Sequence, residues 1–124
     1  MKRAIIVLGH GSRSADATEQ FLRIIEMLRE LHPDDSVLPA FMELAPPRLA
    51  EAISLAIGQG AKEIIVLPCF LFQGMHIKRD IPEMLAELKA ENPDVTVLFG
   101  RPIGPDPRIA EILTDRLEEI ACPV

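Results

Sequence analysis

The sequence of 124 residues has little cysteine, no long apolar run and no excess of positive charge. Its two cysteines, Cys69 and Cys122, lie far apart and form no recognisable metal-binding motif, so we expect two reduced thiols in a cytoplasmic protein. Charge or proline interrupts every apolar run before it approaches the roughly 20 residues of a membrane span, which argues against a membrane protein. The formal net charge of −6 argues against general nucleic-acid binding.

The N-terminus also lacks the features of a signal peptide. Met1, Lys2 and Arg3 lead directly into a short apolar strand, with no cleavage-type region. No repeat, low-complexity stretch or linker divides the chain. We therefore expect residues 1–124 to form one domain that stays in the cytoplasm.

What the chain does contain is a regular alternation of apolar strands and amphipathic helices. Short apolar runs predict strands at residues 4–8, 37–42, 63–67 and 95–99, each followed by apolar residues at helical spacing. Pro39 cannot donate a hydrogen bond, which places the second strand at an edge of the sheet. Such alternation is typical of parallel sheets with right-handed crossovers. The sequence therefore predicts an α/β fold: a four-stranded parallel sheet of order 2-1-3-4 with helices on both faces.

Local signals predict where the helices begin and what they bury. The predicted starts are a capping box formed by Asp16 and Glu19, Pro46-Pro47 for the second helix, Asp80 with Pro82 in the first turn of the third, and Asp106-Pro107 for the fourth. Gly58 and Gly60 are predicted to close the second helix. The predicted inward stripes are Phe21, Ile24, Ile25, Leu28 and Leu31; Leu49, Ile53, Ala56 and Ile57; Met84, Leu85 and Leu88; and Ile109, Ile112, Leu113 and Ile120.

Two histidines follow two strands that the predicted order makes neighbours. His10 comes just after strand 1, and His76 lies downstream of strand 3. Ligands bind at the carboxyl edge of such sheets, at the switch point between these two strands. Two neutral imidazoles there could hold a divalent metal or move protons at neutral pH. Each histidine alone is equally well explained as a turn residue, but their equivalent positions favour function; His32 is interpreted as a partner of a helix C-terminus.

Other candidate residues surround this pair. Glu43, just past strand 2, is the carboxylate placed beside both histidines and the best candidate for a general base, although capping the following turn would also explain it. Phe70, Phe72, Met42 and Met75 are candidates for an apolar wall against a flat ligand, with core packing as the alternative.

Basic residues cluster on the same predicted edge of an otherwise acidic chain. They are Arg13, Arg48, Lys78, Arg79 and Arg101. Such clustering favours a ligand that carries carboxylates or phosphates. A nucleotide site is disfavoured, because the Gly9-x-Gly11 turn lacks a third glycine and no Walker lysine follows. A small phosphohydrolase built around His10 is disfavoured as well, because no arginine directly precedes that histidine.

Two segments give the chain a family resemblance. Residues 7–13 read Val-Leu-Gly-His-Gly-Ser-Arg, and residues 68–82 carry the pattern Pro-x-Phe-Leu-x-x-Gly-x-His-x-x-x-Asp-Ile-Pro. With Met42-Glu43, they resemble the short-form sirohydrochlorin chelatases of the CbiX type over essentially the whole chain. The resemblance implies that a divalent metal, commonly cobalt and in some members nickel or iron, is inserted into sirohydrochlorin without an organic cofactor. It implies that His10 and His76 carry the metal and that Glu43 assists proton removal.

The resemblance also gives the basic edge a role. Sirohydrochlorin bears carboxylate arms, which Arg13, Lys78 and Arg79 are expected to bind, while Phe70 and Phe72 press against the ring. The chain is expected to correspond to half of a two-lobed chelatase, since it lacks the duplicated second half of long-form members. One small sheet cannot enclose a tetrapyrrole, so we expect a homodimer with a shared cleft.

A different class of function is left open by the same residues. A non-catalytic carrier of a metal or a tetrapyrrole would use the same histidines without promoting insertion. The role of Glu43 separates the two hypotheses, because only an enzyme needs a proton acceptor at that position.

Overall fold

The computed structural model describes residues 3–72 and 74–120, without the side chains of residues 75–77. Its elements, in chain order, are β1 (Arg3–Gly9), α1 (Ala15–Leu31), β2 (Ser36–Phe41), α2 (Leu49–Gly58), β3 (Glu63–Pro68), α3 (Met75–Glu91), β4 (Thr96–Phe99) and α4 (Pro107–Glu119). The strands form one parallel sheet in the order β2-β1-β3-β4, as the sequence predicts. No helix in the described ranges is long and apolar enough to cross a membrane.

Pro39 explains why β2 lies at an edge. It pairs with Val7 in the parallel register between β1 and β2. Because proline has no N–H to donate, it is tolerated where only one side of a strand is paired. β1, between β2 and β3, is the most completely buried strand, and its apolar run from Ala4 to Leu8 is at most 5% exposed.

One face of the sheet carries the larger core. Alternate strand residues such as Ile6 and Ile64 point to this face, where Ile53 of α2 and Ile81 of α3 cover them. All four side chains are fully buried. Burying a side chain of this size contributes about 1.5–3 kcal/mol relative to leaving it in water, so this layer holds the domain together.

The other face is covered over only half of its width. Ile25 of α1 packs against Ile5, Val7 and Val37, which belong to β1 and β2. Leu67 of β3 packs at the margin of this cluster, whereas Leu98 of β4 on the same face is 49% exposed.

Two predicted helix starts are wrong. Ser14, not the Asp16–Glu19 pair, caps α1, since the backbone N–H of Ala17 donates to Ser14 Oγ at 3.3 Å. Asp80 does not cap α3, which already begins at Met75 and contains Pro82 in its interior. An interior proline costs a helix one hydrogen bond, so the sequence pattern favoured a helix that begins just before Pro82. In the structure the helix begins earlier, directly after Gly74.

The signals at the other two helices agree better with the structure. α2 begins at Leu49, two residues after the proline pair, with the backbone N–H of Arg48 donating to Glu51 Oε1 at 3.1 Å. Gly60 follows α2 with a φ of 95°, the left-handed conformation that glycine adopts without strain. Asp106 caps α4 by accepting the Arg108 backbone N–H at 2.9 Å, as predicted.

The predicted burial of α4 is also wrong. None of its residues is buried, and Leu113 and Leu117 are each 63% exposed; Ile112 and Ile120 are exposed as well. In the preceding loop, the N–H groups of Ile103 and Gly104 donate to Phe70 O and Leu71 O, which ties the loop to the segment after β3. In α1, Ile24 and Leu31 are likewise exposed, because only the flank around Ile25 meets the strands.

Candidate functional site

The segments that follow β1, β2 and β3 are bonded together at the carboxyl edge of the sheet. The backbone N–H of Met42 donates to Gly9 O at 2.9 Å, and that of Glu43 donates to His10 O at 3.2 Å. On the other side, the N–H of Cys69 donates to Leu8 O at 2.8 Å. These bonds continue the strand pairing past the strand ends, so His10 is fixed between the two neighbouring segments.

His10 rests on an aromatic platform. Its ring centroid lies 4.1 Å from that of Phe70, with the ring planes tilted by 37°. Phe70 is 2% exposed whereas His10 is exposed, so the buried ring supports an imidazole that faces solvent. Within the described ranges no hydrogen bond holds the His10 ring, which argues against its interpretation as a turn residue bonded to backbone.

Gly11 allows Glu43 to approach this loop. Gly11 has a φ of 95°, and a Cβ at this position would lie 1.8 Å from Glu43 O. Only glycine fits such a close passage between two backbones. The Glu43 side chain is exposed, and the segment continues into Leu44 at a φ of 69°. The sequence therefore places a carboxylate-bearing residue directly beside the His10 loop.

His76 lies in the first turn of α3, directly after Met75. The start of α3 follows β3 and so belongs to the same edge of the sheet as His10. The side chains of His76 and Met75 lie outside the described part of the chain, so the pairing of the two imidazoles stays a prediction. Among the described side chains, no three of histidine, cysteine, aspartate and glutamate come together as a metal site.

Two of the hollows in the described structure border the residues that follow β1 and β3. The smaller, about 160 Å³, lies beside His10 and is bordered by Thr18 and Phe21 of α1 and by Cys69. The larger, about 450 Å³, lies one strand further along, between residues 71–72 and the loop 101–107. Phe72, 77% exposed, lines the larger hollow, whereas Phe70 supports His10. The two predicted aromatic contacts thus occupy different places.

The sequence placed a helix start at Asp106-Pro107 but predicted no part in ligand binding for the loop 102–107. The loop supplies most of one wall of the larger hollow. A usable signal was present, because Pro102, Pro105 and Pro107 fall within six residues and fix their own backbone φ angles. Such a segment makes a stiff wall rather than a mobile loop.

The charges around the larger hollow are partly paired. Arg108 donates from Nε and Nη2 to the two carboxylate oxygens of Asp106 at 2.8 Å each, and this contact holds the pKa of Asp106 well below its usual range. Arg101 lines the same hollow and is exposed. The positive charge of Arg101 therefore dominates the mouth of the hollow.

The other predicted basic residues lie where strands lead into helices. Arg13 precedes α1, and Lys78 and Arg79 lie in the early turns of α3; all three are exposed. Arg48 is the residue before α2. The five basic residues thus follow strand ends, as the sequence predicted.

Two residues from the sequence analysis lie outside the candidate chemistry. Burial raises the pKa of the Cys69 thiol, which suits the small packing residue expected there rather than a reactive nucleophile. His32 is the C-cap of α1, as expected for a partner of a helix C-terminus, with Nδ1 4.0 Å from Asp35 Oδ2. Cys122 lies outside the described residues.

The parallel sheet with helices on both faces, and with His10 at its carboxyl edge, defines a doubly wound α/β protein. The chain belongs to the CbiX family, whose pattern matches residues 4–120.

Individual relatives agree with this assignment. The sirohydrochlorin cobaltochelatase of Methanopyrus kandleri is 34% identical over 94% of this chain and 95% of its own length. The chloroplastic sirohydrochlorin ferrochelatase of Arabidopsis thaliana is 36% identical over 92% of this chain but 51% of its own length. The crystal structure of the sirohydrochlorin chelatase SirB from Bacillus subtilis in complex with cobalt matches with a TM-score of 0.89 and 31% identity.

The relatives therefore fall into two lengths. The chain spans nearly the whole of the Methanopyrus protein and about half of the Arabidopsis one. It aligns over 98% of its own residues with 52% of the SirB chain. The fold described above thus aligns with about half of the SirB chain.

Proposed function

We propose that this protein inserts a divalent metal ion into sirohydrochlorin. Co²⁺ is the expected metal, with Ni²⁺ and Fe²⁺ as alternatives; the metal is a substrate, and no organic cofactor takes part. The observation that carries the proposal is the exposed His10 ring held on Phe70 at the carboxyl edge of a CbiX-family fold. Relatives named as cobaltochelatase and as ferrochelatase support the reaction class and both metals.

His10 and His76 would present the metal to the macrocycle. An imidazole nitrogen binds cobalt, nickel and iron alike, so the donor type fits all three metals. Two protein ligands leave several coordination positions for water, and the ring nitrogens can replace that water one step at a time. The stacking of His10 on Phe70 fixes the direction in which the imidazole nitrogen of His10 would face the metal.

Glu43 would accept a proton released by the macrocycle. Insertion of a dication expels two pyrrolic protons, which are only weakly acidic in water. The backbone bond from Glu43 N to His10 O, at 3.2 Å, keeps this residue next to the metal-bearing loop. A carboxylate at that position can accept the two protons one after the other, passing the first to solvent before it takes up the second.

We expect Glu43→Gln to separate metal binding from insertion. The amide keeps the size of the side chain but cannot accept the proton, so the insertion rate should fall by about 10²–10⁴-fold. Cobalt affinity, measured by calorimetric titration, should change little. Glu30→Gln, on the exposed surface of α1, is the matched control and should insert metal normally. An unchanged insertion rate in Glu43→Gln would show that Glu43 is not the proton acceptor.

Lys78 and Arg79, which we call the basic rim, should affect the binding of the tetrapyrrole rather than that of the metal. We expect the double variant Lys78→Glu and Arg79→Glu to raise KM for sirohydrochlorin about tenfold or more, because like charges then face the carboxylate arms. Cobalt affinity should change far less, and the association rate should lose most of its salt dependence.

A control for this charge reversal is available on other surfaces. Arg23→Glu with Lys62→Glu changes the net charge equally at two exposed positions, on α1 and just before β3. If this control raises KM as much as the rim variant, the effect is one of overall charge and the rim has no specific role.

We further propose that the working unit is a homodimer in the cytoplasm, with two carboxyl edges facing a shared cleft. A single sheet edge offers one wall, whereas a flat macrocycle with acidic arms needs contacts on both faces. The match of this chain to half of SirB supports a second lobe. The net charge of −6 supports the absence of a nucleic-acid partner.

A further inference from the structure

The His10 imidazole lacks the restraint that usually orients a metal-binding histidine. Such a histidine normally donates its other ring N–H to a carboxylate, a backbone carbonyl or water, and this bond sets the direction of the ligating nitrogen. Among the residues that the structure describes, no group accepts a hydrogen bond from the His10 ring. The side chain is also exposed, so close packing on all sides does not hold it. Another contact must therefore orient this ring.

The contact that restrains the imidazole is the ring of Phe70. The two ring centroids lie 4.1 Å apart, closer than the roughly 4.5–7 Å that is typical of aromatic pairs, and the ring planes are tilted by 37°. At this separation the imidazole rests directly against the phenyl ring. Rotation of the His10 side chain into another rotamer would break the contact, so Phe70 favours one direction of the imidazole nitrogens.

Phe70 itself is held in place by the core and by its backbone. Its side chain is 2% exposed and belongs to the larger core cluster, together with Leu8 of β1 and Ile81 of α3. The backbone N–H of Ile103 donates to Phe70 O at 2.9 Å, which ties the same residue to the loop after β4. Side chains in a close-packed core keep their rotamers. Phe70 thus extends the rigidity of the core to an exposed imidazole.

Phe72 lies only two residues further on but has different surroundings. It is 77% exposed and lines the larger hollow, beside Arg101. Its ring is therefore open to a flat apolar ligand, whereas the core and the His10 ring cover that of Phe70. The sequence suggested one role for both aromatic residues, namely contact with the macrocycle. Their burial and contacts instead assign them to different steps.

We propose that Phe70 is a positioning residue for metal transfer that acts through His10, and that of the two aromatic residues only Phe72 contacts the macrocycle. This inference rests on the proposed function and adds which step each ring serves. An imidazole that binds a dication becomes more positive, and a phenyl ring attracts positive charge. The contact with Phe70 therefore stays favourable while His10 holds the metal, and the imidazole keeps its direction as the ring nitrogens of the macrocycle replace water.

Loss of the Phe70 ring should weaken metal binding about five- to tenfold. A free histidine side chain has three χ1 wells and about two ring orientations, so roughly one arrangement in six would face the metal. The apparent dissociation constant rises by the inverse of that fraction. We expect Phe70→Leu to lower cobalt affinity, measured by calorimetric titration, and kcat for insertion by this factor, with KM for sirohydrochlorin unchanged. Phe70→Met, whose flexible side chain fills the space differently, should show the same pattern.

Two further variants separate positioning from other effects. Phe72→Leu should raise KM for sirohydrochlorin and keep the cobalt affinity of the parent chain. Ile53→Val also removes a small volume from the larger core cluster, at a fully buried position of α2, and should lower stability without lowering cobalt affinity. An effect of Phe70→Leu on KM alone would place Phe70 against the macrocycle, and an equal loss of cobalt affinity in Ile53→Val would show a general effect of core packing. Either result would overturn the proposal, as would parent-like cobalt affinity in both Phe70 variants.

NMR tests the ring contact in the unaltered protein, without metal or turnover. The ring current of Phe70 should shift a ring proton of His10 upfield of the corresponding proton of His32, which contacts no aromatic ring in the described part of the chain. The spectra of His10→Ala and His32→Ala assign the signals, and the shift should disappear in Phe70→Leu. Equal positions of the His10 and His32 signals would overturn the proposal. A parent chain that fails to insert cobalt would instead refute the proposed function, because neither calorimetry nor NMR requires insertion.

Discussion

Replacing His10 by alanine should reduce cobalt affinity and the rate of metal insertion by at least about a hundredfold each. Removing a residue that only hydrogen-bonds a metal ligand already costs about 10–100-fold, so the loss of a ligand itself should cost at least as much. His76→Ala should behave in the same way. Because His10 is exposed and no hydrogen bond holds its ring in the described structure, its loss should cost no more free energy of unfolding than its ring contact with Phe70 supplies, about 0.5–1.5 kcal/mol. The affinity is measured by calorimetric titration, and insertion by the absorption spectrum.

His32→Ala is the matched control for both variants. His32 is also exposed but caps α1 beside Asp35, away from the carboxyl edge of the sheet. It should bind cobalt and insert it like the parent chain. If His76→Ala retained full cobalt affinity, the site with two histidines would have to be abandoned, even if His10 proved essential.

Among the replacements of a glycine by alanine, Gly11→Ala should reduce the stability of the protein most. The new Cβ would lie 1.8 Å from Glu43 O, on a backbone with a φ of 95°. The left-handed conformation alone costs about 1–2 kcal/mol in a residue with a side chain, and the collision must also displace a backbone segment. We expect a loss of at least about 3 kcal/mol in the free energy of unfolding, measured with urea, together with a large loss of insertion rate.

Gly58→Ala provides the comparison for this variant. Nothing lies within 4 Å of the Cβ that alanine would add at the end of α2. Because alanine favours helix over glycine by up to about 1 kcal/mol, this variant should be as stable as the parent chain or slightly more so. Equal stability of Gly11→Ala and Gly58→Ala would show that the contact between the His10 loop and Glu43 is not as tight as the geometry indicates.

The sheet could be predicted from the sequence because its signals are local and agree with one another. The continuous apolar run of β1 indicates a strand covered on both faces, and Pro39 indicates an edge. The helix starts were harder to predict, since Ser14 and Asp16 both offer a side-chain oxygen near the same turn. The position of Pro82 inside α3 was not predicted, because an interior proline costs a helix a backbone hydrogen bond and the local pattern therefore favours the first turn.

The burial of α4 shows a deeper limit of sequence patterns. The spacing of Ile112, Leu113 and Ile120 correctly indicates an apolar face, but a helical period carries no information about which surface covers it. Similarly, the sequence pointed to His10 and Glu43 as neighbours, whereas the stacking of His10 on Phe70 depends on the pairing of β1 with β3. Contacts of this kind follow from the topology.

The most direct test of the account mixes a substoichiometric amount of the protein with sirohydrochlorin and one dication at a time, Co²⁺, Ni²⁺ or Fe²⁺, while the absorption spectrum is followed. We predict complete conversion of the tetrapyrrole over many turnovers, fastest with Co²⁺ and much faster than without protein. A spectral change that stops at one equivalent of protein would identify a carrier and contradict the proposed insertion. Conversion no faster than the uncatalysed reaction would contradict it as well.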